Sequence, residues 1–170
     1  MKVKIIIENG KAIDAELAEE QAKELGLVEN KKTGWERAEQ NKIYYSLDTC
    51  CGVAAYMEYM EGDGIFDLNN NHYEVGNYFT DKSLAERMAK RISLMLRMQR
   101  WADENNTEPI NWENGDQFKY FICYDHDRQV FRIDSNSIFQ SISRVYFLSK
   151  GLAEEAIKVF GDEIKEVLGV

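Results

Sequence analysis

The chain has 170 residues, 44% of them hydrophobic, and a net charge of −9 from 30 acidic and 21 basic side chains. This length supports one well-buried core or two small units that share one, and the composition excludes a disordered chain. The carboxylate excess disfavours general binding to nucleic-acid phosphates, which requires clustered lysine and arginine. It favours solubility and attraction to basic partners.

The compartment can be inferred from hydrophobicity and cysteine usage. No apolar run approaches the roughly 18 residues that a membrane span needs, and the N-terminus becomes acidic too soon for a signal peptide. The three cysteines, Cys50, Cys51 and Cys123, are odd in number and lack CxxC spacing. We therefore expect a soluble cytoplasmic protein with reduced thiols and no membrane contact. The role of Cys50 and Cys51 stays open.

Residues 1–34 are predicted to form an appendage to the rest of the chain. A β-branched strand over residues 3–8 precedes Asn9-Gly10, the favoured dipeptide of a two-residue hairpin turn, and residues 11–14 form the return strand. A short helix over residues 16–25 follows, because apolar residues recur there near helical spacing before a glycine.

Two further units are predicted, over residues 35–106 and 107–170. The elements expected in the first are strands at 43–47, 53–60 and 77–79, a turn at 49–52, a polar loop at 67–76 and a helix from 81 to about 105. Its apolar stripe comprises Leu84, Met88, Ile92, Met95, Leu96 and Trp101. Those expected in the second are strands at 118–124, 130–133 and 138–147, a turn at 125–128 and a helix from 149 to 168.

A repeat relates the two units. Tyr78 to Glu86 and Tyr146 to Glu154 match at a constant offset of 146 − 78 = 68 residues. In each copy an aromatic pair ends a strand and a capping residue, Asp81 or Ser149, begins a helix. The pattern predicts an α+β fold of two pseudo-symmetric β-β-β-α units whose antiparallel strands share a core.

Motifs for catalysis, metals and cofactors are missing from the sequence. There is no GxSxG elbow, P-loop or GxGxxG. Residues 67–72 begin like a calcium loop, but His72 stands where glycine is required and Tyr78 where a bidentate glutamate is required. His72 and His126 are the only histidines, without zinc-ligand spacing. We expect no catalytic residue, no metal and no cofactor, so that the protein is not an enzyme.

Charge placement is the feature that points to a function. Residues 43–81 and 101–118 contain no lysine or arginine, whereas the predicted helix between them carries six cations over residues 82–100. Carboxylates interleaved with aromatic and amide side chains can imitate nucleic acid toward a basic groove, and we expect both stretches to share one exposed face. The partner-binding candidates are Glu58, Glu61, Asp63, Asp67, Glu74, Asp103, Glu104, Glu108, Glu113 and Asp116. The alternative is an ordinary solvated acidic surface.

The sequence also resembles a family. Trp35-Glu36-Arg37-Ala38, Tyr44-Tyr45 and the segment from Gly76 to Glu86 are similar to motifs of small proteins from phages and mobile elements of Firmicutes, over roughly residues 35–160. These motifs carry a fold and not an activity. In setting, size and charge the chain also resembles anti-CRISPR proteins, which block Cas effector nucleases.

These observations lead to a ranked set of functional hypotheses. The first is a non-enzymatic inhibitor of a basic host defence protein, most concretely a Cas9-type nuclease with or without its guide RNA. The second is a structural or accessory phage protein that self-assembles into a homo-oligomer through its aromatic sheet. The third is a nucleic-acid-binding protein that uses the basic helix over residues 82–100. A hydrolase or nucleotide-binding enzyme is a further hypothesis of a different class.

Overall fold

The computed structural model describes residues 2–6, 12–16, 18, 21, 33–48, 52–58 and 66–170. The chain divides into two compact units, residues 1–36 and 37–170. In the first unit, β1 (Lys2–Ile6) and β2 (Ala12–Glu16) pair antiparallel. The turn predicted at Asn9-Gly10 and most of the helix predicted over residues 16–25 lie outside the described residues, as do Cys50 and Cys51. Glu16 is the last residue of β2 and not the first of a helix.

The second unit confirms the general α+β class. Its elements in the described part of the chain are β3 (Ile43–Leu47), β4 (Val53–Met57), α1 (Phe66–Glu74), α2 (Lys82–Asn105), β5 (Lys119–Asp125), β6 (Val130–Asn136) and α3 (Lys150–Leu168). β3 and β4 form one antiparallel hairpin, and β5 and β6 form another. The first hairpin packs against α2 and the second against α3, while the two long helices pack together.

The third strands predicted at 77–79 and 138–147 are wrong, because each is reduced to one β-bridge. Phe79 exchanges both backbone hydrogen bonds with Tyr45, at 2.7 and 2.9 Å, and Phe147 does so with Tyr120, at 2.8 Å each. The ladder ends there because Asp81 and Ser149, two residues farther on, already cap helices. Each bridge therefore joins a hairpin to the start of a helix.

The polar loop predicted at 67–76 is also wrong, because α1 occupies most of it. The helix holds a fully buried asparagine, Asn69, which donates to the carbonyl of Met57 at 3.1 Å and accepts from the Tyr44 hydroxyl at 2.8 Å. Gly76, two residues after the end of α1, has a φ of +72°, the left-handed conformation that glycine adopts just past helix C-termini. The helix is thus stabilised by partners distant in sequence, which hydrophobic periodicity does not report.

The two long helices begin where the sequence predicts. The Asp81 carboxylate accepts from the amides of Ser83 and Leu84 at 2.7 and 3.1 Å, and the Ser149 hydroxyl accepts from the amide of Leu152 at 3.1 Å. Such caps satisfy orphan N–H groups of the first turn.

The helices run antiparallel and bury small side chains. Near one end Lys90 pairs with Glu166, and near the other the ring of Trp101 lies 6.3 Å from that of Phe160. The predicted α2 stripe is partly wrong, since Ile92, Met95 and Leu96 are exposed and the buried positions are Ala85, Ala89, Leu94 and Ala102. Alanine permits close approach between packed elements, so side-chain size and not hydrophobicity decides which face is covered. The core of the helix pair comprises Leu94, Ala102, Val145, Phe147, Ala153, Ala156 and Phe160.

Candidate protein-binding surface

Residues 103–116, here named the acidic segment, expose all five of their carboxylates. These belong to Asp103, Glu104, Glu108, Glu113 and Asp116. Asp103 and Glu104 lie in the last turn of α2, where the helix dipole is negative and a carboxylate costs roughly 0.3–1 kcal/mol. Asp103 recovers part of this cost by accepting from Gln99 Nε2 at 2.8 Å one turn earlier, whereas helix stability does not explain Glu104.

The acidic segment has an ordered network of hydrogen bonds of its own. The amide of Asn111 donates to Gln117 Oε1 at 2.8 Å, and Gln117 Nε2 donates to Glu108 Oε1 at 3.0 Å. The amides of Glu113 and Asp116 each donate to a nearby asparagine side chain at 2.9 Å. The loop thus holds its backbone, and one of its carboxylates, in a defined arrangement.

A buried cation lies beneath this segment. Lys119 is fully buried, and its Nζ donates to the carbonyls of Asn114 at 2.9 Å and Ser137 at 2.8 Å. The same ammonium lies 5.2 Å from the centre of the Trp112 ring, within the range of a cation–π contact. Lys119 therefore ties the acidic segment to the loop that follows β6, while its charge is withdrawn from the surface.

Residues 138–142, here named the apolar loop, do not form the predicted strand, and their apolar side chains are exposed. Ile138 is 63% exposed, Phe139 is 72% exposed and Ile142 is fully exposed. The hydroxyl of Tyr146 accepts from the amide of Ser141 at 2.7 Å and so fixes the loop. This stretch lacks the unbroken or strictly alternating apolar pattern of a strand, and this lack was the sequence signal against the prediction.

A groove lies beside the acidic segment, and Gln140 of the apolar loop lines it, whereas Ile138, Phe139 and Ile142 do not. The groove has a volume of about 520 Å³, and its lining includes Asp103, Glu108, Trp112, Gln140 and Arg144. The edge of the Trp112 ring packs on Tyr146 with ring centres 4.9 Å apart, and Tyr146 in turn holds the apolar loop. Acidic and apolar side chains therefore border one concave surface. Sequence reasoning singled out the two carboxylates and missed Trp112, Gln140 and Arg144.

The first predicted acidic stretch behaves differently. Glu58 is only 4% exposed: its Oε1 accepts from Arg37 Nε and Nη2 at 2.9 and 2.7 Å, and its Oε2 accepts from the Tyr78 hydroxyl at 2.7 Å. Burial and this carboxylate raise the pKa of Tyr78. Glu58 is therefore an internal ion-pair partner and does not present its charge to another protein.

The other residues of that stretch are placed as follows. Glu61 and Asp63 lie outside the described residues, and Asp67 lies in α1 with its side chain outside the described part. Glu74, the last residue of α1, is exposed.

Glu58 lies far from the acidic segment. Tyr78, the partner of Glu58, lies just before the first residue of α2, whereas Asp103 lies in its last turn. From residue 82 to residue 103 an α-helix rises about 30 Å at 1.5 Å per residue. Glu58 therefore lies toward one end of α2 and Asp103 toward the other.

A cluster of aromatic and polar side chains occupies the end near Glu58. The Tyr44 ring stacks on Tyr78 with centroids 4.0 Å apart, and its hydroxyl lies 3.0 Å from His72 Nδ1. The Asn69 amide group donates to a carbonyl, so its oxygen accepts the hydrogen bond from the Tyr44 hydroxyl. Because that hydroxyl has a single proton, His72 Nδ1 must carry a proton and donate to the Tyr44 oxygen. Burial lowers the pKa of His72, and burial together with the nearby Glu58 raises the pKa of Tyr44 to about 12. The cluster is a satisfied internal network.

Three of the six cations of α2 hold carboxylates. Lys90 pairs with Glu166 at 2.5 Å, Lys82 with Glu86 at 3.3 Å, and Arg97 donates through both Nη atoms to Glu163. The hydrogen bond from Arg97 lowers the pKa of Glu163. A helix whose cations already hold carboxylates releases few counterions on binding a phosphate backbone.

Within the described ranges, no three His, Cys, Asp or Glu side chains gather where they could hold a metal ion. No helix in that part of the chain is long and apolar enough to cross a membrane. The chain matches no protein-family model, no curated protein and no solved structure. Function must therefore be argued from the geometry.

Proposed function

We propose that this chain is a non-enzymatic inhibitor from a phage or mobile element that acts in the bacterial cytoplasm by binding a basic host protein. The acidic segment supplies charge, and Phe139 and Ile142 of the apolar loop supply contact area. A Cas9-type nuclease is the most concrete partner, because such effectors hold nucleic acid in positively charged channels. Carboxylates placed in such a channel compete with the phosphates that normally occupy it.

One observation carries this proposal. Two carboxylates stand at the negative end of α2, three more follow in an ordered loop, and the lysine beneath them is fully buried. Local stability favours cations at a helix C-terminus, so the arrangement favours a role outside the fold. Exposed aliphatic and aromatic side chains beside charged ones are typical of contact surfaces whose apolar centre excludes water.

The decisive experiment compares two triple charge reversals. Glu104, Glu113 and Asp116, whose carboxylates hold no hydrogen bond or ion pair within the described part of the chain, are changed to lysine. The matched control reverses three exposed carboxylates elsewhere, Asp127, Glu155 and Asp162, so that net charge changes equally. Both proteins and the wild type are used to capture partners from a defence-competent bacterial lysate at low and high salt.

The acidic-segment variant is expected to lose the partner while the control retains it, with both folded by circular dichroism. Binding to purified Cas9-type nuclease, with and without guide RNA, then identifies the state recognised. Equal capture by both variants contradicts the proposal. Turnover in a hydrolase screen with and without divalent metal contradicts its non-enzymatic part.

A second function is favoured by the exposed apolar loop. Ile138, Phe139 and Ile142 offer a surface through which copies of the chain could self-assemble. Light scattering at varied concentration and salt separates the two functions, since a salt-insensitive homo-oligomer without affinity for basic partners supports self-assembly. Nucleic-acid binding by residues 82–100 ranks third, because Lys82, Lys90 and Arg97 already hold carboxylates.

We also propose that the two β-hairpin and helix units are related halves. The bridges Tyr45–Phe79 and Tyr120–Phe147 stand at corresponding places, and each is followed after two residues by a helix cap. The caps keep the offset of 149 − 81 = 68 residues seen in the sequence. An experimental structure in which residues 43–105 and 119–168 fail to superpose would contradict this relation.

A further inference from the structure

A second cavity lies between α2, the β5–β6 hairpin and the C-terminal half of α3, and it shares Arg144 with the groove beside the acidic segment. It has a volume of about 340 Å³, at the lower end of the range for small-molecule sites. Its apolar wall includes Leu94, Met98, Ile122, Val145 and Ile164. Methionine side chains adapt to irregular ligand shapes, so such a wall suits a short acyl chain or a single ring.

Two arginines border this apolar cavity. Arg91 comes from α2 and Arg144 from the loop before α3, and both are exposed. Within the described residues no carboxylate lies within 4.0 Å of either guanidinium, although Lys90 and Arg97 on the same helix both hold glutamates of α3. The Arg144 guanidinium is positioned by Phe121, whose ring centre lies 4.0 Å away.

We propose that this cavity binds a small amphipathic monocarboxylate, with its apolar part among the side chains of α2, β5 and α3 and its carboxylate held by Arg91 and Arg144. Planar guanidinium groups bind carboxylates through paired, charge-assisted hydrogen bonds. The apolar wall and the two unpaired cations select together for a ligand with one anionic end, and a neutral or cationic analogue satisfies only half of the site. This inference does not depend on the proposed inhibitor function.

Calorimetry on the full chain tests the proposal with three ten-carbon probes, decanoate, 1-decanol and decylamine, kept below their aggregation concentrations. Decanoate is expected to bind at least tenfold more tightly than 1-decanol, a difference of about 1.4 kcal/mol, and decylamine more weakly still. Equal binding of all three probes, or no binding of decanoate, would overturn the proposal.

Variants locate the site. The double change Arg91→Gln and Arg144→Gln is expected to weaken decanoate about tenfold and to leave 1-decanol unchanged. Arg100→Gln, which removes an exposed cation of α2 outside the cavity lining, serves as the matched control. Met95→Trp, at a lining position that is 38% exposed and so tolerates bulk, is expected to weaken both probes. Unchanged decanoate affinity in the double variant, with its fold intact by circular dichroism, refutes the assignment.

Discussion

Replacing Glu58 with lysine is expected to destabilise the fold, because Glu58 is buried at the centre of an ion-pair and hydrogen-bond network. Its carboxylate accepts two hydrogen bonds from Arg37 and one from the Tyr78 hydroxyl. The change removes all three acceptors and places a second cation against Arg37, at a position where the native side chain is only 5% exposed.

The magnitude follows from the burial of the pair. Breaking a buried ion pair by removing one partner typically costs about 3–5 kcal/mol. Because the Arg37 side chain is 34% exposed, water partly screens its charge, and we expect the lower end, about 3 kcal/mol. For a chain of this size that corresponds to a fall in Tm of about 6–12 °C. Glu58→Gln keeps an accepting oxygen for Arg37 but loses the charge and the acceptor for the Tyr78 hydroxyl, so it is expected to cost about 2 kcal/mol.

Urea unfolding followed by tryptophan fluorescence and circular dichroism measures these differences. Glu74→Lys is the matched control, because Glu74 is an exposed carboxylate and surface reversals usually change the free energy of unfolding by less than about 0.5 kcal/mol. Arg37→Met alone and combined with Glu58→Gln completes a double-mutant cycle that isolates the coupling between the two side chains. If Glu58→Lys unfolds at the same urea concentration as Glu74→Lys, the buried-network reasoning is wrong.

Two further outcomes are expected from the same geometry. Burial lowers the pKa of His72 below its ordinary 6.5. As the pH falls below 6.5, the unfolded chain therefore binds more protons than the folded chain does. The free energy of unfolding then falls by up to about 1.4 kcal/mol per pH unit until the pH passes the pKa of the folded state. His72→Asn should therefore reduce the change in the urea midpoint between pH 7 and pH 5, and an unchanged pH dependence in this variant would contradict the reasoning. Ser149→Ala removes the α3 cap and should lower the free energy of unfolding by about 1 kcal/mol, whereas Ser149→Thr keeps the hydroxyl and should retain most of the stability; equal losses would contradict a capping role.

The fold restricts the proposed inhibitor surface to the acidic segment and excludes Glu58. A reversal that includes Glu58 would weaken binding through unfolding, so loss of binding in that variant says nothing about an interface. The exposed carboxylates of residues 103–116 are the informative ones, because they contact solvent and their removal leaves the core intact.

The sequence determined the features that depend on neighbours along the chain. Asp81 and Ser149 cap helices because their side chains reach amides only two or three residues ahead, and the hairpin strands around 43–47 and 119–125 follow from local β-propensity and turns. The acidic segment could also be predicted, since the absence of lysine and arginine from that part of the sequence is evident without coordinates.

Only the tertiary structure decided which side chains are covered. Asn69 was predicted in a polar loop and Glu58 on an exposed acidic face, yet both are buried. Met57 and Tyr44 satisfy Asn69, and Arg37 and Tyr78 satisfy Glu58. The apolar loop at 138–142 is exposed because the chain between β6 and α3 pairs through Phe147 alone. Burial and hydrogen-bond satisfaction depend on groups far apart in sequence, and periodicity along the chain carries no information about them.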